Sequence, residues 1–491
     1  MEAAEVKQKA VRGARWTLGL SAVSMPVAYG TNIMLGRINP EALGTYGVIS
    51  LFVSTVTTFI LFGGGSVLVK FLPEVDTPRQ LPLVFSYFTF SMSTALILAV
   101  FVFLYPDVVN FIIQEDIEVS VVRCLLILIP LIVFQQILVF ALNGFMEIGL
   151  SVLSQKVVTI ANFVVFTVLL LLFQEVFMRT YITLIWITYT ATLILATVAA
   201  AVFLIRTIRR LNVPWKLNIC LPSGFWRFTA FAHASTVLVF GYEQIDKIFV
   251  LTCFSVEELG LYLAALQTIM LIRFVPQVLG QVLLPTFSNL LASGEKGLLI
   301  RAHYEVTKAT TLAVVPTALI CVYFSREIMG LFGPYYVNQA SVLAVLGFLY
   351  SFTSMGGVNS SLIIARGRTG WYFLNSSVQV GFQLAATWLL VEKIGAMGAA
   401  IGRGGGVLIA QVGLWLIVRR ILKTDVRLPR AFVAGTGVMV GATLTYCIIQ
   451  PKELALSFAL YVSWVVVFLL LAGVGKEELR WLTRRAWRGH N

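Results

Sequence analysis

A chain of 491 residues that is 58% hydrophobic and only 12% charged, with a mean hydropathy of +0.89, is too apolar for a water-soluble globular fold. Its formal net charge of +13 is expected to gather on one membrane face, where it would attract anionic membrane lipids; no nucleic acid is needed as a partner to explain it. The five cysteines form no C-x-x-C pair and three histidines are too few for a cluster, so disulfides, metal sites and metal cofactors are not expected.

A bilayer core about 30 Å thick takes roughly 20 apolar residues per helical crossing. Runs of that kind lie near 16–36, 42–69, 81–104, 124–143, 157–174, 181–205 and 228–254. Seven more follow near 258–286, 308–324, 337–364, 370–391, 395–418, 431–450 and 454–474. The first run is too long for a cleavable signal peptide and lacks a small-residue cleavage site, so it is expected to remain as the first helix. Pro26 with Gly30, Gly63 to Gly65, Pro276 with Gly280, and Gly356 with Gly357 are candidate bends.

The turn between the first two runs, Leu35 to Tyr46, recurs 216 positions later as Leu251 to Tyr262, with Leu35, Glu41, Leu43, Gly44 and Tyr46 matched by Leu251, Glu257, Leu259, Gly260 and Tyr262. A repeat of this length duplicates a multi-helix unit, as in many transporters. Six helices per copy give both copies the same orientation. The fold class expected is therefore an all-α polytopic membrane protein of about 14 transmembrane helices, two parallel-repeat six-helix lobes plus two extra C-terminal helices. The lobes are expected at 1–210 and 225–422, joined by a cytoplasmic linker at 211–224. Two added helices at 428–475 and a basic tail at 476–491 complete the chain.

With the N terminus inside and the loops assigned alternately, 27 of the 36 Lys and Arg residues fall on cytoplasmic segments, which places both termini in the cytoplasm. The longest polar connection, about 20 residues from Arg206 to Arg227, leaves little room for an enzyme outside the bilayer.

Several segments carry a resemblance. Ala14-Arg15-Trp16, the Leu35 to Tyr46 turn, and Leu68-Val69-Lys70-Phe71-Leu72-Pro73-Glu74 are similar to the polysaccharide biosynthesis flippases. So are Asp246 with Glu258 to Tyr262, Pro285-Thr286-Phe287-Ser288, Ile364 to Thr369 and Gly395 to Ile401. The resemblance covers nearly the whole chain. It implies membership of the superfamily that holds the lipid II flippases and the multidrug and toxin exporters. It also implies two six-helix lobes around a cavity and alternating access between the membrane faces. The cargo implied is a polyprenyl-diphosphate-linked oligosaccharide, moved from the cytoplasmic to the outer leaflet of the cell membrane, with glycan-assembly enzymes as partners. A drug or toxin exporter of the same superfamily and a membrane-embedded glycan polymerase are the alternatives; the first would need a more anionic cavity and the second a large external loop.

Charge inside the spans is what the residues themselves supply, because each such group costs about 2.5 to 3.5 kcal/mol at a helix centre and must face protein or water. Five stand out: Glu243, Asp246 and Lys247 in the seventh run, Arg273 in the eighth and Arg403 in the twelfth. Glu243 and Lys247 share a helix face. Arg273 lies near the depth of Glu243, which allows either an interhelical ion pair or a cationic cradle for a diphosphate. Glu243 and Asp246 are the candidates for coupling to H⁺ or Na⁺. Arg403 sits among Gly402, Gly404, Gly405 and Gly406, where either helix packing or a ligand explains the missing side chains. Lys70, Arg15 and Arg37 are placed at cavity mouths or as snorkelling anchors. Asn32, Gln277 and Gln281 are candidate contacts for sugar hydroxyls, or bonds between helices.

Overall fold

The computed structural model describes residues 3–105, 119–172, 174–216, 218–421, 428–451 and 453–473, so the basic tail expected at 476–491 lies outside the described residues. So do the side chains of Arg15 and Gln281. Among the described residues the protein is all-α, and each of the fourteen apolar runs falls on helix. The helices are α1 (Ala3–Ile38), α2 (Pro40–Ile60), α3 (Gly65–Phe71), α4 (Thr77–Leu104), α5 (Val119–Gly144), α6 (Ile148–Leu172), α7 (Gln174–Arg210) and α8 (Phe225–Cys253). After them come α9 (Val256–Ala292), α10 (Lys296–Tyr323), α11 (Ser325–Phe332), α12 (Ala340–Tyr350), α13 (Gly356–Ala365), α14 (Thr369–Ile394), α15 (Ala396–Leu416), α16 (Arg430–Ile449) and α17 (Leu454–Leu471). Nine segments among the described residues are long and apolar enough to cross a membrane. The chain divides into two compact units, Met1–Ala264 and Ala265–Asn491, and the division falls within α9.

In the first unit, α2 starts where the sequence signals a helix start. The Asn39 side chain accepts from the Ala42 amide at 2.7 Å, Pro40 supplies a pre-set φ, and Glu41 adds negative charge to the first turn. The run at 42–69 is not one helix. It breaks after Ile60, with Gly63 and Gly64 at φ of +71° and +56°, and resumes as α3. Backbone polar groups freed by a break inside a membrane must find partners in the protein. Here the Tyr87 hydroxyl from α4 lies 3.4 Å from the carbonyl oxygens of both Phe62 and Gly64.

The two copies of the repeated turn meet within this unit. A Cβ on Gly44 would collide with the Val256 carbonyl oxygen, and a Cβ on Gly260 with the Pro40 carbonyl oxygen. Gly44 and Gly260 are equivalent in the repeat, as are Pro40 and Val256. The contact is therefore reciprocal, and only residues without a side chain allow the backbones so close.

In the second unit the run at 337–364 is also broken: α12 and α13 are joined by a 3-10 turn, Ser351–Met355, that ends at the Gly356-Gly357 pair. Gly398, Gly402 and Gly406, four residues apart on α15, pack against Leu390, Thr387 and Gln383 of α14, so this part of the glycine-rich segment is a helix-packing stripe. A hydrophobic cluster of Leu283, Phe287, Leu299, Leu362, Ile363 and Leu414 gathers α9, α10, α13 and α15. The His303 Nε2 and Asn359 Oδ1 atoms pair at 2.8 Å between α10 and α13.

Candidate functional site

Three of the five charges singled out from the spans project from one stretch of α8. Asp246 is fully buried, and one of its carboxylate oxygens accepts a hydrogen bond of 2.7 Å from the Tyr262 hydroxyl at the start of α9. Lys247 is half-buried and donates to Gln244 Oε1 at 2.8 Å; Gln244 in turn donates from Nε2 to Ser54 Oγ on α2 at 3.0 Å. A polar relay thus runs from the ammonium group across to α2, and sequence reasoning anticipated neither Gln244 nor Ser54. Glu243 is half-buried one helical turn before Lys247.

The other two charges belong to the second unit. Arg403 is 2% exposed, and its Nε donates to the Tyr350 hydroxyl at 2.9 Å. A guanidinium held this deeply must be compensated by hydrogen bonds. Arg273 is half-buried on α9 with Nη1 3.8 Å from the Met270 sulfur. Gln277, one turn on, is exposed. In the first unit Asn32 is buried in α1 and its Oδ1 has no hydrogen-bond partner among the described residues. Arg37 is exposed in the last turn of α1. Lys70 is exposed, 3.2 Å from Glu74 Oε1 and over the rings of Phe71 and Phe228 at 5.4 and 5.2 Å. That is an anchored surface cation at the end of α3.

The first unit also contains a half-open cavity of about 300 Å³ lined by α2, α5, α6 and α7. Its polar lining is Tyr46 and Ser50 from α2, Gln135 and Gln136 from α5, Gln155 and Thr159 from α6, and Tyr189 from α7. Behind it the Thr192 hydroxyl donates to Asn162 Oδ1 at 2.7 Å, and Asn162 Nδ2 reaches the Tyr46 oxygen at 3.5 Å. The rings of Tyr46 and Tyr189 stand edge to face, 6.4 Å apart.

Residues 34–338 match a family described as polysaccharide biosynthesis protein. The chain belongs to that family. It is 22% identical over 418 residues to MJ1068, an uncharacterized membrane protein of Methanocaldococcus jannaschii, a match covering 80% of this chain and 81% of that protein. Among solved structures it is similar to the lipid II flippase MurJ in an inward closed conformation, with a TM-score of 0.74 and 12% identity over 94% of this chain and 99% of that one. It is also similar to an inward-facing multidrug resistance MATE family transporter of the MOP superfamily, with a TM-score of 0.61 and 16% identity over 84% and 99%. At these identities the likeness is one of fold. This member of the polysaccharide biosynthesis family therefore shares the fold of those two proteins and is a multi-pass membrane protein.

The cavity residues were not singled out from the sequence because the search there weighed charge. A signal was present: Gln155, Thr159 and Asn162 fall on one helical face of α6, and Tyr46, Ser50 and Ser54 on one face of α2, within predominantly apolar helices. Neutral polar residues at helical spacing in a membrane span mark an inward face as charges do, at a smaller cost per residue.

Proposed function

We propose that this protein is a transporter that takes a polyprenyl-diphosphate-linked oligosaccharide from the cytoplasmic leaflet and delivers it to the outer leaflet, by alternating access of lobes at 1–210 and 225–422. The observation that carries the reading is family membership over residues 34–338, in a family described by polysaccharide biosynthesis. The fold, shared with a lipid II flippase, supports it. Cations held within the spans, Lys247, Arg273 and Arg403, offer the donors that a diphosphate needs. In this reading Arg273 holds the diphosphate as a planar fork of donors, while Glu243 and Asp246 are the groups through which H⁺ or Na⁺ would drive the cycle. Both termini lie in the cytoplasm.

Deleting the gene is expected to make a lipid-linked saccharide accumulate on the inner leaflet, and its identification names the cargo. Unchanged inner-leaflet glycolipids would overturn the reading. Arg273→Ala is expected to abolish delivery to the outer face while the protein still inserts, and Arg273→Lys to retain part of it. Normal export by the Ala variant would remove the diphosphate role. Transport in vesicles under an imposed proton or sodium gradient identifies the coupling ion, and indifference to both would mean facilitated flipping.

A further inference from the structure

The 300 Å³ cavity of the first unit is lined by none of the charges considered above. Its lining combines three amides, two phenols and two aliphatic hydroxyls, and no charged side chain lines it among the described residues. All four helices around it are apolar, and three of them contain candidate membrane spans. Seven polar side chains converging inside such helices need a reason, since each would be more cheaply replaced by Leu or Val if it faced only lipid or packed helix.

Bonding between helices accounts for one of the seven: Tyr46 is reached by Asn162 Nδ2, whose Oδ1 accepts from Thr192. It does not account for the rest. Among the described residues, no hydrogen bond is formed by the side chains of Ser50, Gln135, Gln136, Gln155 or Thr159. Gln135 is 2% exposed, whereas Ser50 and Gln155 are open to the surroundings, so the polar lining runs from an accessible rim to a deep wall. Amides both donate and accept, as do hydroxyls. A lining of this kind matches a ligand that does the same at every edge.

Charge narrows the ligand class. A diphosphate finds no Lys or Arg in this lining, and an organic cation finds no carboxylate. The volume, near the lower end of the range of about 300 to 1,000 Å³ for small-molecule sites, suits one ring rather than an oligosaccharide. The Tyr46 and Tyr189 rings give the apolar C–H face of a pyranose something to lie against. From these observations we infer that the cavity between α2, α5, α6 and α7 is a binding site for one uncharged sugar ring of the cargo, held by Gln135, Gln155 and Thr159. The inference rests on the flippase reading and adds a saccharide subsite to it.

The test uses the full-length protein in lipid nanodiscs and three probes: polyprenyl diphosphate, the same carrier bearing one glucose, and the same carrier bearing one glucuronate. The wild type is expected to bind the glucose probe about tenfold more tightly than the bare carrier, the effect of one or two added hydrogen bonds, and to gain nothing from the glucuronate. In the near-isosteric double variant Gln135→Leu, Thr159→Val the affinity ratio of glucose probe to bare carrier is expected to fall to about one. Circular dichroism and thermal melting establish that this variant is folded. Were it unfolded, the single variant Thr159→Val is expected to lower the ratio by about half. Three results overturn the subsite while leaving the flippase reading intact: equal binding of glucose and bare probes, a glucose preference that survives in the variant, or glucuronate bound as tightly as glucose. Failure of all three probes to bind overturns both.

Discussion

Tyr46 and Tyr262 hold equivalent places in the two copies of the repeat, two residues after the glycines that pack reciprocally, yet they meet different chemistry. Tyr46 faces neutral groups: Asn162 Nδ2 at 3.5 Å, the edge of Tyr189 and a cavity lined by amides. Tyr262 is fully buried and donates to the carboxylate of Asp246 at 2.7 Å, beside the Lys247–Gln244–Ser54 relay. Duplication thus preserved the helix start and the backbone crossing, which steric contact enforces. It left free the residues that each tyrosine reaches: the first copy's tyrosine meets a neutral amide and the second's a carboxylate.

The sharpest way to break this comparison is to remove the Tyr262 hydroxyl. Hydrogen bonds to charged groups contribute about 1.5 to 3 kcal/mol, and at the fully buried Asp246 the loss of the phenol removes one donor from a desolvated carboxylate. Tyr262→Phe is expected to lower the unfolding free energy of the detergent-purified protein by about 2 kcal/mol. A loss of less than about 0.5 kcal/mol would mean that Asp246 does not depend on this donor, and the contrast between the copies would fail.

The backbone half of the comparison predicts equality. Gly44→Ala and Gly260→Ala each drive a Cβ into a main-chain carbonyl that cannot swing aside, so each is expected to destabilise by about 1 to 2 kcal/mol. Because one small separation of α2 from α9 relieves both collisions, the double variant is expected to be little worse than the worse single. Additive losses in a thermal or denaturant melt would show that the two contacts are independent, against the reciprocal packing described above.

What the sequence made legible follows from where the physics is local. Hydropathy placed the helices because lipid forces every span to bury its own backbone, and Gly63-Gly64 marked the break in the second run because φ above zero suits glycine. The 3-10 turn at Ser351–Met355 was not visible, since Ser, Phe, Thr and Met carry no strong signal for it; the adjacent Gly356-Gly357 pair only hinted at it. The charges Asp246, Lys247 and Arg403 stood out as intramembrane ions do. Their partners Tyr262, Gln244 and Tyr350 did not, because a partner on another helix or a neighbouring turn is fixed by packing that no local pattern reports. The amide-lined cavity was missed for a related reason. It is assembled from four helices, and no single one of them holds more than two of its seven polar residues.

The smallest effect expected is at the neutral tyrosine. Thr192 donates to Asn162 Oδ1 at 2.7 Å, so the Tyr46 oxygen is met only by Asn162 Nδ2, and that 3.5 Å contact is long for a hydrogen bond. Hydrogen bonds between membrane helices average only about 0.6 kcal/mol, so Tyr46→Phe is expected to change stability by no more than about that amount. The ring remains to pack against Phe166 and Tyr189. A loss comparable to that of Tyr262→Phe would show that the first copy's interior is as tightly bonded as the second's. Tyr46 is one of the residues that line the cavity, so removal of its hydroxyl should instead appear in how well the protein distinguishes a glucose-bearing carrier from a bare one. A residue that is dispensable for the fold but needed for that discrimination is what a neutral ligand site requires, whereas a purely structural tyrosine would show the reverse.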